Sequence, residues 1–106
     1  MQALRAVANV LAPTDFPVTV EGHTDNTPIN TPQFPSNWEL SGMRASSVVR
    51  LFIEAGVDPR RLTATGFADQ RPVDDNVTPE GRARNRRVAI TIESRVPDNP
   101  VETRLP

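Results

Sequence analysis

The stretch VEGHTDNTPINTPQFPSNWELSGMRAS, residues 20–46, decides how this chain folds. It continues an alternating run, PVTVEGHTD from 17 to 25, in which Val18 and Val20 point one way and Thr19, Glu21, His23 and Asp25 the other. That is a short strand with Asp25 at its exit. Residues 26–36 hold three prolines and no apolar period, so they form a loop. Ser36-Asn37-Trp38-Glu39 is a capping box, in which Ser36 covers the first amides and Glu39 reaches back. The helix it starts runs to Ala55, with Gly56 as its stop. Its apolar stripe is Leu40, Ala45, Val48, Leu51, Phe52 and Ala55, and Arg44 projects into that stripe between Leu40 and Val48. Glu39, Ser46, Ser47, Arg50 and Glu54 take the opposite side.

Working outward, Leu4, Val7, Ala8 and Leu11 recur at helical spacing over residues 2–12, and Pro13 ends that helix. VDP is a turn and RLTATGF a second strand, followed by a polar loop over 68–77. Thr78 caps a short helix with Pro79 at its first position. RVAITIES then alternates, Val88, Ile90 and Ile92 inward and Ala89, Thr91 and Glu93 outward. The expected fold is α+β: a two-layer sandwich of βαβαβ order, helices on one face of a small mixed sheet, with a further N-terminal strand missing. The unit from 17 to 67 should cross right-handed between parallel strands. The domain is expected to fill residues 1–95, with 96–106 a flexible tail.

Composition narrows the function. The 106 residues suit one small core, and with 37% apolar and 5% aromatic residues that core is largely aliphatic. The net charge of −1 gives no steering toward nucleic acid or anionic membrane. Cysteine is absent, which excludes disulfides, thiol catalysis and thiolate zinc sites. No apolar run approaches the roughly 18 residues of a membrane span.

Arginine cannot shed its charge, so Arg44 on an apolar face needs carboxylate or carbonyl partners, unless it snorkels from the edge of the stripe near the helix start. Helix geometry alone leaves a structural salt bridge and a functional role evenly matched. Asp25 shifts the balance, because a strand exit beside a helix start is where a two-layer protein opens a crevice. The two make a poor acid–base pair but a good recognition pair. Arginine clamps a carboxylate while aspartate accepts from an ammonium, so together they complement the zwitterionic end of an amino acid. His23, the lone histidine, has neither nucleophile nor second histidine beside it and is expected to be structural. Arg82, Arg84, Arg86 and Arg87 form the densest basic run: a solvated face suited to a helix C-terminus, from which Arg86 or Arg87 could also position an anion.

These pieces resemble the OmpA-like C-terminal domain family of peptidoglycan binders. VEGHTD at 20–25, NWELSGMRASSVV at 37–49, GVDPRRLTATGFAD at 56–69 and NRRVAITI at 85–92 come in the family's order and cover nearly all of 17–93. The resemblance implies a non-catalytic periplasmic anchor with no cofactor. It implies that Asp25 and Arg44 hold the zwitterionic end of diaminopimelate in the stem peptide. Asn37, Leu40 and Arg87 map onto the same groove, and Thr24 and Asn26 flank it. Within the family, TPINTPQFPSNWELS looks most like the flagellar stator subunits MotB and MotD, whereas generic outer-membrane anchors usually have a shorter loop and another residue where Trp38 stands. That likeness implies a homodimer and a MotA-type channel partner reached through an inner-membrane anchor outside this chain. Two alternatives are a generic outer-membrane-to-wall anchor and an assembly domain in which Arg44–Asp25 is an internal salt bridge. A wall-acting enzyme would need a metal or nucleophile constellation that the sequence does not display.

Overall fold

The computed structural model describes residues 2–93, and the tail expected at 96–106 lies outside the described residues. Helix α1 (Gln2–Leu11) precedes strand β1 (Val18–His23), and α2 (Asn37–Glu54) begins where the capping box places it. Ser36 is extended and its side chain accepts the Trp38 N–H at 3.1 Å. Gly56 ends the helix at φ +106°, a left-handed conformation that glycine adopts without a Cβ clash. A single 3₁₀ turn (Pro59–Arg61) leads into β2 (Leu62–Gly66), and α3 (Pro79–Asn85) into β3 (Arg87–Ile92).

The sheet order is β2-β1-β3. β1 runs parallel to β2, as a strand–helix–strand crossover requires, and antiparallel to β3. The expected two-layer α+β arrangement with a mixed sheet is what the chain forms. Val18 and Val20 of β1 face Ala8 and Leu11 of α1 and Ala45, Val48 and Phe52 of α2, with Val57 closing the cluster. Leu4, Leu62, Val88 and Ile90 pack around its margin.

Two inward positions turn out otherwise. Val7 is 37% exposed and Ile92 47% exposed, because β3 is an edge strand whose last residues run past the core under the flank of α1. The Glu93 N–H donates to the Pro17 carbonyl at 3.0 Å. Bonded and non-bonded pairs alternate in an antiparallel ladder, so the main-chain groups of Val88, Ile90 and Ile92 point toward the sheet's open side.

What brings α2 down onto the strand ends is a pair of glycines. A Cβ at Gly22 would lie 2.0 Å from the Ser41 carbonyl oxygen, and one at Gly66 would lie 2.7 Å from the Gly42 nitrogen. Side chains there would push the helix off the sheet. Ser41 itself is fully buried on the helix face that periodicity assigns to apolar residues. Its hydroxyl donates to the Trp38 carbonyl at 3.1 Å and accepts the Ala68 N–H at 3.0 Å, so neither polar atom is stranded.

Candidate functional site

Because α2 packs so closely, its first two turns lie against the exit of β1, and a cavity of about 220 Å³ opens between them. Thr24 and Asp25 form one wall and Asn37, Leu40 and Arg44 the opposite one, at helical positions i, i+3 and i+7. Thr27, Pro28 and Ile29 from the loop supply the rim, and Arg86, just after α3, closes the far end.

Asp25 is buried and charged. Its Oδ1 accepts the Thr27 N–H at 2.9 Å, and its Oδ2 accepts from Arg86 Nη1 at 2.7 Å. Burial alone would raise its pKa, but the Arg86 hydrogen bond, joined by those from Thr27, outweighs burial and holds the carboxyl below its ordinary value. Thr24 fixes the turn, its hydroxyl donating to the Asp25 carbonyl at 2.8 Å and its N–H to the Ala68 carbonyl at 2.9 Å. The Asn37 amide donates to the Thr27 carbonyl at 3.1 Å and, more weakly, to that of Asp25 at 3.5 Å, tying the helix start to the loop.

Arg44 is half-buried, and its Nη1 reaches only the His23 carbonyl, at 3.5 Å. Among the described residues no carboxylate pairs with it. The internal Arg44–Asp25 salt bridge of the assembly-domain alternative is therefore not formed, since the cation on Asp25 is Arg86. Arg44 and Asp25 instead share a cavity, which leaves the Arg44 guanidinium available to a ligand.

The structure gathers Thr24, Asp25, Asn37, Leu40 and Arg44 around this cavity and leaves Asn26 and Arg87 off its lining. Asn26 is exposed at the loop start. Arg87 opens β3, where the side chain of each residue takes the opposite face from its neighbour's, and its guanidinium donates to the carbonyls of Arg71, at 2.9 Å, and Asn85, at 3.5 Å. Arg86, one residue earlier, faces the cavity. Motif order alone could not choose between the adjacent arginines, because the choice depends on where α3 ends. Thr27, Pro28 and Ile29 were also hidden from the sequence, since an aperiodic loop announces no direction for its side chains.

His23 has the structural role expected of it. Buried at the end of β1, it stacks on Phe67 at 5.2 Å between ring centroids, and the Arg71 guanidinium covers the other ring 4.3 Å from its centroid. Its Nε2 lies 3.4 Å from Glu21 Oε1, while the buried Nδ1 has no partner among the described residues.

A family model described as the OmpA family matches residues 1–86. Motility protein B of Bacillus subtilis is 45% identical over 76 residues, which are 71% of this chain and 29% of that protein, so the chain spans under a third of that relative. The cell wall anchor of the T6SS from Pseudomonas aeruginosa superposes with a TM-score of 0.81 at 45% identity, covering 89% of this chain and 66% of that one. The periplasmic domain of Helicobacter pylori MotB superposes with a TM-score of 0.82 at 29% identity, over 92% of this chain and 63% of that one. With the matching fold, a family model that covers most of the chain and these relatives, the chain belongs to the OmpA family, as an OmpA-like domain of the MotB type.

Proposed function

We propose that this domain binds peptidoglycan in the periplasm and fixes a flagellar stator of the MotB or MotD kind to the cell wall, by gripping the zwitterionic end of diaminopimelate in the stem peptide. The observation that carries this is one small cavity lined both by a half-buried arginine, Arg44, that has no carboxylate partner among the described residues, and by a buried carboxylate, Asp25. Arg44 takes the ligand's carboxylate in bidentate fashion, and Asp25 accepts hydrogen bonds from its ammonium. Arg86 already holds Asp25 Oδ2, so the ammonium enters as Arg86 shares that oxygen or swings away. Its side chain is 45% exposed, which gives it room to do so and to meet a further carboxylate of the stem peptide. Leu40 packs on the ligand's methylenes, while Asn37 and Thr24 hold the loop and the strand exit in register.

The domain is a non-enzymatic module, as OmpA-like MotB and wall-anchor domains are. Its homodimerisation and its connection to a MotA-type channel subunit belong to the same proposal, supported by the likeness to Motility protein B. A second reading, a wall anchor for some other envelope machine, is favoured by the 45% identity to the T6SS anchor.

Co-sedimentation with purified diaminopimelate-type sacculi tests the site. Wild type pellets, Arg44→Ala stays in solution with an unchanged circular dichroism spectrum, and lysine-type sacculi, which lack the second carboxylate, retain neither. A folded Arg44→Ala that pellets like wild type removes the clamp.

A further inference from the structure

The zwitterion clamp uses the charged part of the cavity and leaves an apolar part of its lining without a role. Pro28 and Ile29 line it from the loop and Leu40 from α2. Ile29 and Leu40 are each half-buried. The loop that carries Pro28 and Ile29 is held on both sides. Upstream, Thr27 is tied twice: its N–H donates to Asp25 Oδ1 at 2.9 Å, and its carbonyl accepts the Asn37 amide at 3.1 Å. Downstream, Thr31 and Phe34 close a turn. The Thr31 N–H donates to the Phe34 carbonyl at 2.9 Å, and the Phe34 N–H to Thr31 Oγ1 at 2.8 Å. Pro28 adds a fixed φ and has no N–H to satisfy, and the β-branched Ile29 has a stiff χ1. Ile29 thus stands on a short span between two anchors, and one of them is Asp25 itself.

We propose that Ile29 and Pro28, together with Leu40, form an apolar sleeve that selects the ligand by the length of the alkyl chain behind its zwitterion. The proposal rests on the wall-binding function above and adds a determinant that the charges lack. Arg44 and Asp25 read an amino and a carboxylate group, which every free α-amino acid carries. Such a head consists of a nitrogen, the α-carbon and a carboxylate. Even at roughly 30 Å³ per atom, the share of a water in the liquid, it leaves part of a cavity of about 220 Å³ unfilled. Methylenes placed in the remainder take apolar surface out of water on the ligand and on the sleeve together. A polar chain at the same place would find no hydrogen-bonding group on the side chains of Pro28, Ile29 or Leu40. Diaminopimelate has a run of methylenes behind its free end, so it meets both parts of the cavity.

The test is a titration of the full chain with glycine, D-alanine, D-norvaline and D-norleucine, followed by NMR of labelled isoleucine methyls. The chain has four isoleucines, so the Ile29 signals are assigned by their loss in Ile29→Ala. Wild type is expected to bind each longer chain more tightly, by roughly two- to fourfold per added methylene. The Ile29 methyls should move further with norleucine than with glycine. In Ile29→Ala the gain per methylene should fall below about twofold. The proposal is overturned if wild-type affinity is flat across the series. It is also overturned if Ile29→Ala weakens every member by one common factor and keeps the progression. Both results leave the clamp standing, because glycine still binds. Arg44→Ala reads the clamp separately and should lose the whole series, glycine included. If wild type binds none of the four, or Arg44→Ala binds them as wild type does, the zwitterion site fails and the sleeve fails with it. The wild-type progression and the methyl shifts decide the proposal without any variant.

Discussion

Asp25 and Arg44 were paired by chemistry, yet the atoms that set their charge state sit on other parts of the chain. Asp25 stays ionised inside the protein because Arg86, 61 residues downstream, donates to it. Among the described residues Arg44 has no carboxylate partner, and its Nη1 meets the His23 carbonyl at 3.5 Å. The glycines are as specific as the charges. Gly22→Ala would set a methyl 2.0 Å from the Ser41 carbonyl oxygen, a backbone atom that moves only with the helix. It should destabilise the fold by about 1–3 kcal/mol or more and displace the cavity wall at Leu40 and Arg44. Gly42→Ala lies in the same helix with nothing within 4 Å of the new methyl. It should stabilise by about 0.5–1 kcal/mol through helix propensity. Urea denaturation of the two variants reads both signs, and equal effects would show that the helix does not bear on the strand at Gly22.

At the scale of elements, two polar side chains join pieces that the hydrophobic pattern leaves unconnected. Arg61, in the 3₁₀ turn, donates from Nε to the Phe16 carbonyl at 2.9 Å, and from Nη2 to the Leu11 carbonyl at 3.1 Å and Thr14 Oγ1 at 2.8 Å. It thereby ties the end of α1 and the entry to β1 onto the start of β2. Arg61→Ala should cost about 2 kcal/mol, the range of hydrogen bonds to a charged donor. Arg61→Lys should recover little of it, because an ammonium lacks the planar fork that reaches three acceptors. Thermal melts of the two variants beside wild type check this. Asn85 plays the matching part at the other end of the sheet. Fully buried, it accepts the N–H groups of Val73 and Asp74 and donates to the Asp74 carbonyl and to Asn76 Oδ1. Its amide fixes the loop before α3, and with it the point at which Arg86 leaves the helix toward Asp25.

For the whole molecule, two buried groups, His23 and Asp25, make stability depend on acid. Burial lowers the His23 pKa from its ordinary 6.5, opposed by the hydrogen bond with Glu21 and reinforced by Arg87 and Arg71. A proton added at Nδ1 would meet no acceptor. The folded state therefore keeps a neutral imidazole while the unfolded chain protonates normally. His23 contributes its stability in full above about pH 6.5, and that stability is lost as pH falls through its depressed folded pKa. Asp25, also depressed, adds a second loss at lower pH, below about 4. Melting temperature should therefore fall between about pH 7.5 and about pH 5 and drop again in stronger acid. His23→Phe keeps a ring against Phe67 and should flatten the first slope only. A wild-type melting temperature that is constant from neutral pH to about pH 5 would show that the buried imidazole does not resist protonation.

The elements and their layering were legible in the residues alone, because those follow from local rules. A period of two marked β1 and β3, a period of 3.6 with a capping box and a stop glycine marked α2, and a crossover of that length forced β1 and β2 to be parallel. The sequence also offered Arg44 and Asp25 as candidates, the first as a fixed charge on an apolar helix face and the second by its place at a strand exit beside a helix start. The rest came from contacts between distant parts of the chain. Whether Arg86 or Arg87 enters the cavity depends on one residue of helix end. Which arginine holds Asp25 depends on a contact between residues 61 positions apart. Ser41 is buried without a stranded polar atom because its hydroxyl finds the Trp38 carbonyl within its helix and the Ala68 N–H across the fold. Val7 of α1 and Ile92 of β3 stayed half exposed because they meet at the flank of the two layers, beyond the core, and a periodic pattern records which face a residue takes without recording how far the core extends.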